Sequence, residues 1–459
     1  MDRELTGRNL AELALGIDVE QLSEAAVRRV VWSIRDCLAV AVAGAPEFGP
    51  AAVRSVVAAR HRERGRTFVI GDAPNVPLWA LPADAALCNG TSAHQLDYDD
   101  TARPHFGHLS AVLVPVLLAL EDLAAVDGRA LVASYVAGFE GSGRLAHKMN
   151  TAHYERGWHT TSTIGTIAAA LTGSRLLNLS AEQATHAVGI AASAASGLRV
   201  NFGSDVKPLH AGYAARNGVL AVLLAREGMT ADPGAISSRR GYLDLFDESR
   251  PVDNSGYPQP ALLVETDWAL VLKPFPSCGG THAAIEAAQQ LRDEIPLSQI
   301  ESVEVRVNSL TPQAVTHTRP TTPLQAKFSM QFCVAAALCR GDIGLETFSP
   351  DALADRDIQA LVPKVAMVEA PELRSDPEHP ACVTIASTDG RRVSATVMRA
   401  LGRAGRPMDG QKVWSKFADC VTRGGWVMED ARAVFDDLGN LPGWDANRRL
   451  AGVLTHRRT

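Results

Sequence analysis

The stretch Val303-Glu304-Val305-Arg306-Val307-Asn308 alternates an apolar residue with a polar one at every step. Side chains of a strand point to opposite faces in turn, so this period of two reads as a strand with one buried face. Downstream, Cys382 to Ser387 and Arg392 to Val397 flank Asp389-Gly390, a pair suited to a hairpin turn. Helices are expected nearby, at 281–292 and 325–339. Upstream the texture differs. Val27, Val30, Ile34, Cys37 and Ala41 recur at spacings of three and four, the stripe of a helix that buries one face. Ser180 followed by Gln183 is a capping-box signal before the run Ala184 to Ala195, with Gly197 as the expected stop. Alanine-rich segments at 116–125, 164–172, 184–195 and 214–225 favour close helix packing, and no clear strand alternation appears before about residue 240. After about 405 the pattern is helical again, through Trp414, Phe417 and Val421. The expected fold is mainly α. A large all-helical domain covers 1–269, a smaller inserted α+β lid domain covers 270–402, and a C-terminal segment, 403–459, rejoins the helical domain.

The 459 residues are 46% hydrophobic and 21% charged, enough for a sizeable core and two or three domains. Basic and acidic residues number 45 and 51, a formal net charge of −6, and no polybasic tract is present; nucleic acid is not an expected partner. The N-terminus lacks a signal-peptide pattern, and the longest strongly apolar run, Leu109 to Leu120, is too short to span a bilayer. Seven scattered cysteines without a CxxC pair suit reduced thiols better than disulfides or a zinc site. A cytoplasmic protein with no membrane partner is expected. Only seven lysines occur (148, 207, 273, 327, 364, 412 and 416), and arginine supplies the other 38 of 45 basic residues. A lysine kept in such a chain calls for a chemical reason.

Four stretches concentrate histidine, lysine and carboxylate among small residues. The first runs Asn89-Gly90-Thr91-Ser92-Ala93-His94-Gln95-Leu96-Asp97-Tyr98-Asp99-Asp100-Thr101, followed by Arg103, His105 and His108. The others are Gly157-Trp158-His159-Thr160, Lys207-Pro208-Leu209-His210-Ala211-Gly212, and Lys273-Pro274-Phe275-Pro276-Ser277-Cys278 reaching on to His282. The acidic run is reminiscent of a metal site, but no matching ligand set follows it, and no metal is expected. Cys278 reads as a packing cysteine rather than a nucleophile.

In this order the four stretches resemble the MmgE/PrpD family, and the resemblance runs from the helix at 24–44 to Lys416-Phe417. It implies a helical domain with an α+β lid, a homodimer, and chemistry without metal or organic cofactor. It also implies a lyase, a dehydratase or decarboxylase that acts on a small di- or tricarboxylic acid by moving a proton next to a carboxylate. The alternatives are an epimerase of an imino- or amino-dicarboxylate, and a non-catalytic relative with a decayed site. Carried over position by position, the catalytic set is His108, His159, Lys207 and Asp97. Thr101, Arg103, His105, Lys273 and His282 are expected to bind substrate, with His105 a rival of His108 because the loop from Asp100 to His108 is one residue longer than the resemblance implies. Leu109 and Thr160 stand where the family usually has proline, Phe332 where decarboxylase relatives often have tyrosine, and Asp99 where the dehydratase branch usually has asparagine. The chemistry agrees with the set. A base near neutrality is naturally histidine, worth roughly 10²–10⁴-fold. Lys207, Lys273, Arg103 and the histidines form a cationic pocket in an acidic protein, as a polycarboxylate requires.

Overall fold

The computed structural model describes residues 5–60, 65–71, 78–149, 152–246, 262–373 and 378–455. A large helical body and a smaller α+β unit make up the molecule. Two helices form the centre of the body. Ser110–Leu120 is buried at every position, and Thr160–Leu176 at every position but Arg175. Helices built of apolar and small residues on every face belong in the middle of a core. Around them pack Glu24–Gly44, Pro82–His94, Gly128–Met149, Ala181–Ser193 and Val206–Arg226. Ser180 and Gln183 form the capping box that opens Ala181–Ser193, but that helix ends at Ser193 and Gly197 (φ 135°) shapes the following turn instead. Pro82–His94 crosses Val206–Arg226 where Gly90 meets Gly212. A Cβ on Gly90 would lie 2.9 Å from the Gly212 Cα, so only glycine permits this approach.

The α+β unit holds a four-stranded sheet in the order Val365–Glu369, Ile300–Val307, Ala381–Ser387, Arg392–Val397. The first pair is parallel and the other two are antiparallel. Val303, Val305 and Val307 join Ala381, Val383 and Ile385 in a core with the helices His282–Leu291 and Met330–Arg340. Gly390 takes φ 87° in the hairpin turn. The helix expected at 325–339 is instead two, Pro323–Ala326 and Met330–Arg340, because the Ser329 side chain accepts from the Phe332 N–H and starts a new helix. Gly410–Arg423 packs against Glu24–Gly44, and its Val413, Phe417, Cys420 and Val421 enter the core of the helical body. No helix among the described residues is long and apolar enough to cross a membrane.

Two short strand pairs escape the sequence pattern, because two residues cannot show a period. Thr67–Phe68 pairs with Trp79–Ala80. Thr101–Ala102 pairs with Leu270–Val271, in register Thr101 to Val271. The second pair ties the end of the acidic motif to the approach of Lys273.

Candidate active site

His94 is the last residue of its helix, and Asp97 follows in a left-handed turn with φ 52°, a conformation aspartate tolerates better than most residues. The Gly90–Gly212 crossing brings this turn to the first turn of Val206–Arg226, which carries Lys207. The short strand pair delivers Lys273 to its other side. Both ammonium groups grip Asp97. Lys207 Nζ lies 2.6 Å from Oδ1, and Lys273 Nζ lies 2.9 Å from Oδ2 and 2.8 Å from the Asp97 carbonyl oxygen. All three side chains are buried. Burial alone would raise the Asp97 pKa, but Lys207 and Lys273, aided by His108 and His94, hold it well below the usual carboxylate range.

A second carboxylate organises the histidines. Asp99 Oδ2 lies 2.9 Å from His94 Nδ1 and 3.1 Å from His108 Nδ1. Lys207 Nζ sits 2.9 Å from His94 Nε2, and an ammonium can only donate, so His94 accepts there and carries its proton on Nδ1. For His108 the same carboxylate favours the tautomer with the proton on Nδ1, which leaves Nε2 as a lone pair. That nitrogen is 3.8 Å from Asp97 Oδ1. Burial lowers the His108 pKa, an effect Asp99 opposes and Lys273 and Lys207 reinforce. His94 falls to about 3, again mainly through burial. The His108 side chain keeps 13% of its exposure against none for His94, so His108 is the member of the pair that meets the cleft.

His159 immediately precedes Thr160–Leu176, with its Nδ1 3.0 Å from His210 Nδ1 and its ring stacked 5.7 Å from that of His94. Burial first, then Lys207, His94 and His210, drives its pKa well down and keeps it neutral. The residues after it hold the His108 loop. Thr160 Oγ1 donates to the Phe106 carbonyl at 2.5 Å, and Thr161 Oγ1 accepts from the His108 N–H at 3.0 Å. The threonine that stands in place of proline thus anchors the long loop.

The cleft, about 110 Å³, is lined by Thr101, Arg103, His108, Tyr154, Cys278 and Arg403 among others. His282 lies buried on the lid side with its Nε2 3.1 Å from the Ser277 carbonyl, and Arg103 pairs with Glu378 at 2.6 Å. His105 is not brought to the cleft. It is fully buried against Phe139, with Nε2 2.8 Å from Ser142 Oγ and 3.2 Å from the Phe139 carbonyl, a core arrangement. Burial, with Asp97, raises the Cys278 thiol, so it is no activated nucleophile. Phe332 packs on Phe348 in the lid core.

The sequence reading gave His94 and Asp99 no catalytic part, yet they complete the cluster. It also passed over Lys327 and Lys416, although the scarcity of lysine marked both. Lys327 Nζ donates to the Pro276 carbonyl, and Lys416 Nζ to the Tyr98 carbonyl at 2.7 Å while pairing with Asp36 at 2.6 Å. Each steadies a motif loop from behind.

His94, Asp99 and His108 offer ligand atoms within 4.8 Å of one another, a spacing a transition metal could use. Their hydrogen bonding favours proton chemistry. Both Nδ1 atoms face one carboxylate oxygen, and His94 Nε2 is taken by an ammonium, so a cation would have to displace protons next to Lys207.

Comparison with known proteins places these features in a family. The MmgE/PrpD N-terminal domain matches residues 8–255 and the MmgE/PrpD C-terminal domain residues 275–435. Cis-aconitate decarboxylase of Mus musculus is 26% identical over 429 residues, 89% of this chain and 85% of that protein. The Homo sapiens cis-aconitate decarboxylase is 29% identical over 304 residues, 63% of this chain and 62% of its own. The 2-methylcitrate dehydratase of Salmonella typhimurium is 24% identical over 365 residues, 73% and 74% of the two chains.

Proposed function

The chain belongs to the MmgE/PrpD family, and from that premise we propose that it is a lyase that breaks a bond beside a carboxylate of a small di- or tricarboxylic acid, using no metal or organic cofactor. One observation carries the reading. His108, oriented by Asp99, faces a cleft next to an aspartate clamped by two buried lysines.

Each ammonium has three N–H groups. Lys207 gives two to Asp97 and His94, and Lys273 gives two to the Asp97 side chain and backbone. One N–H of each is left for a substrate carboxylate. In both candidate reactions negative charge grows on carbon and spreads onto that carboxylate, so the two lysines act most strongly at the transition state. Decarboxylation is the finer reading, since among the relatives named above the longest alignment is to a decarboxylase. A C–C bond to a second carboxylate breaks, carbon dioxide leaves, and the electron pair passes through the conjugated system. The carbon then takes a proton from His108 Nε2, protonated beforehand from solvent. Burial makes that imidazolium a stronger acid than a free one. Dehydration would use the same nitrogen in reverse, to remove a proton beside the carboxylate while hydroxide departs. His159 and Thr101 serve as neighbouring polar contacts.

The test is proton NMR in deuterium oxide with cis-aconitate, citrate and other di- and tricarboxylates. A decarboxylated product carrying solvent deuterium is expected from one of them. If no acid in the panel shows turnover or deuterium exchange, the lyase reading fails.

A further inference from the structure

The turn that carries Asp97 and Asp99 is held from a third side, by a residue far along the chain. Helix Gly410–Arg423 packs on helix Glu24–Gly44 and buries Lys416 at 5% exposure. Lys416 Nζ lies 2.6 Å from Asp36 Oδ1, 2.7 Å from the Tyr98 carbonyl oxygen and 4.1 Å from the centre of the Tyr98 ring. One ammonium therefore holds Tyr98 by its backbone and by its ring. The far end of that ring reaches the Lys273 segment, where the Tyr98 hydroxyl lies 3.4 Å from the Pro274 carbonyl oxygen.

Tyr98 stands between the two carboxylates of the site. Its carbonyl and the Asp99 N–H share one planar peptide unit, so a fixed oxygen fixes how the chain enters Asp99. The preceding carbonyl, that of Asp97, is held by Lys273 at 2.8 Å. Two successive carbonyls are each held by a buried ammonium, just where Asp97 takes its left-handed φ of 52°. Asp99 depends on that backbone. Its Oδ2 meets His94 and His108, whereas its buried Oδ1 has no hydrogen-bond partner among the described residues. No further donor braces the carboxylate, so the chain beneath it sets its direction. Stability does not account for the Asp36–Lys416 pair. Burial raises the Asp36 pKa, and the attraction of Lys416 offsets this only in part. Buried pairs often fail to repay their desolvation, and this one is in place to carry an ammonium to Tyr98.

We infer that Lys416 is a positioning residue for the proposed proton transfer: by holding the Tyr98 carbonyl it aims Asp99, and through Asp99 the His108 imidazole. Asp36 serves as its counter-charge. The C-terminal segment thus takes part in the site without touching substrate. The inference rests on the role proposed for His108 and adds what keeps that histidine in place.

The experiment uses the full chain and removes the pair as a unit. Lys416→Met/Asp36→Asn takes away one positive and one negative charge together and leaves neither partner as an uncompensated buried charge. Lys416→Gln/Asp36→Asn is the conservative variant, since its amide can still donate to the Tyr98 carbonyl. Melting curves and circular dichroism establish folding, and Lys416→Met/Asp36→Leu stands in if the first variant does not fold. The first readout needs no substrate. Nitrogen–proton spectra of histidine-labelled protein follow the ring N–H groups of His94 and His108 that face Asp99. His153, whose Nδ1 donates to the Phe246 carbonyl at 3.2 Å, is the remote control. In Lys416→Met/Asp36→Asn the His94 and His108 signals should shift or vanish while that of His153 stays. The second readout is turnover of cis-aconitate, or of another acid from the panel above that is turned over. In the same variant kcat should fall by about tenfold to a hundredfold with KM within about threefold, as for a displaced proton-transfer group. Lys416→Gln/Asp36→Asn should recover most of that loss. On an Asp99→Asn background, removing the pair should cost about threefold or less, because a residue that acts through Asp99 has no carboxylate left to aim. A folded Lys416→Met/Asp36→Asn protein with wild-type histidine signals and kcat overturns the inference. So does a Lys416→Gln/Asp36→Asn protein no better than it, or a loss that multiplies in full with that of Asp99→Asn. A wild type inactive on every acid of the panel overturns the lyase reading instead, and the histidine spectra alone then decide whether Lys416 aims Asp99.

Discussion

Asp99→Asn isolates what the buried carboxylate does for His108. Asp99 uses a single oxygen, Oδ2, towards both imidazoles, at 2.9 and 3.1 Å, and an asparagine can place its carbonyl oxygen in the same position. The hydrogen-bond pattern can therefore survive, and the loss is mainly one of charge. When His108 becomes an imidazolium, the two charge centres stand about 4 Å apart, and at an effective dielectric near 20 the interaction is worth about 4 kcal/mol. That is about a thousandfold in rate if the imidazolium forms fully at the transition state. Asp97, Lys207 and Lys273 do not touch Asp99, so substrate binding should change by no more than about threefold. The assay is steady-state turnover, or deuterium exchange if turnover is slow, across pH 5 to 9. Asp99 raises the His108 pKa, so its removal should also move the limb set by that histidine to lower pH. A kcat within tenfold of wild type, with the limb unmoved, would refute the orienting and stabilising role of Asp99.

Replacing the two rival histidines should separate their parts. His108→Ala is expected to abolish turnover with a normal melting curve, whereas His105→Ala should cost about 1–3 kcal/mol of stability and leave kcat within a few-fold, as lost buried hydrogen bonds do. Acid should unfold the protein early. His94, His105 and His379 sit at about 3 and His153 and His210 at about 4, all below the ordinary 6.5. Between those values and 6.5 the unfolded chain binds more protons, so stability is complete above 6.5 and each histidine removes up to about 1.4 kcal/mol per pH unit as pH falls. A melting temperature that stays flat from pH 6.5 to 5 would contradict this. Activity should survive exhaustive EDTA treatment, and its loss with recovery on adding a divalent metal would move His94, Asp99 and His108 from proton chemistry to metal binding. Light scattering at micromolar concentration should give the mass of a homodimer, against which a monomer mass would count.

Much of the fold was legible because the chain changes period. Valines at every second position from Val303 to Val307 mark a sheet, and the stripe from Val27 to Ala41 marks a helix, since each pattern buries one face at its own repeat. What escaped was local. Thr101–Ala102 and Leu270–Val271 are too short to show any period, yet their pairing decides that the acidic motif and Lys273 meet. Ser329, one hydroxyl, splits an apolar run into two helices, because a capped N-terminus outcompetes the continuation that hydrophobicity alone would favour.

The candidate site was legible as a set of residue types and much less as an arrangement. Motif order singled out Asp97, His108, His159, Lys207 and Lys273, and these side chains do gather around one buried cluster. Which of two histidines in one loop turns to the cleft depends on the handedness of the backbone. Phe106 takes φ 49°, and the hydroxyls of Thr160 and Thr161 hold the loop so that His105 goes inward and His108 outward. No spacing in the sequence encodes that choice. Lysine usage came closer to the truth than the motif alone. Lys207, Lys273, Lys327 and Lys416 are buried, and each has a carbonyl, carboxylate or imidazole within reach that belongs to one of the motif loops. Arginine, with its wide planar fork, suits poorly a place where two compact ammonium groups each take one oxygen of Asp97, or where one reaches a lone backbone carbonyl. In a chain that otherwise writes most of its positive charges as arginine, these four lysines stand where a compact point charge suits the site.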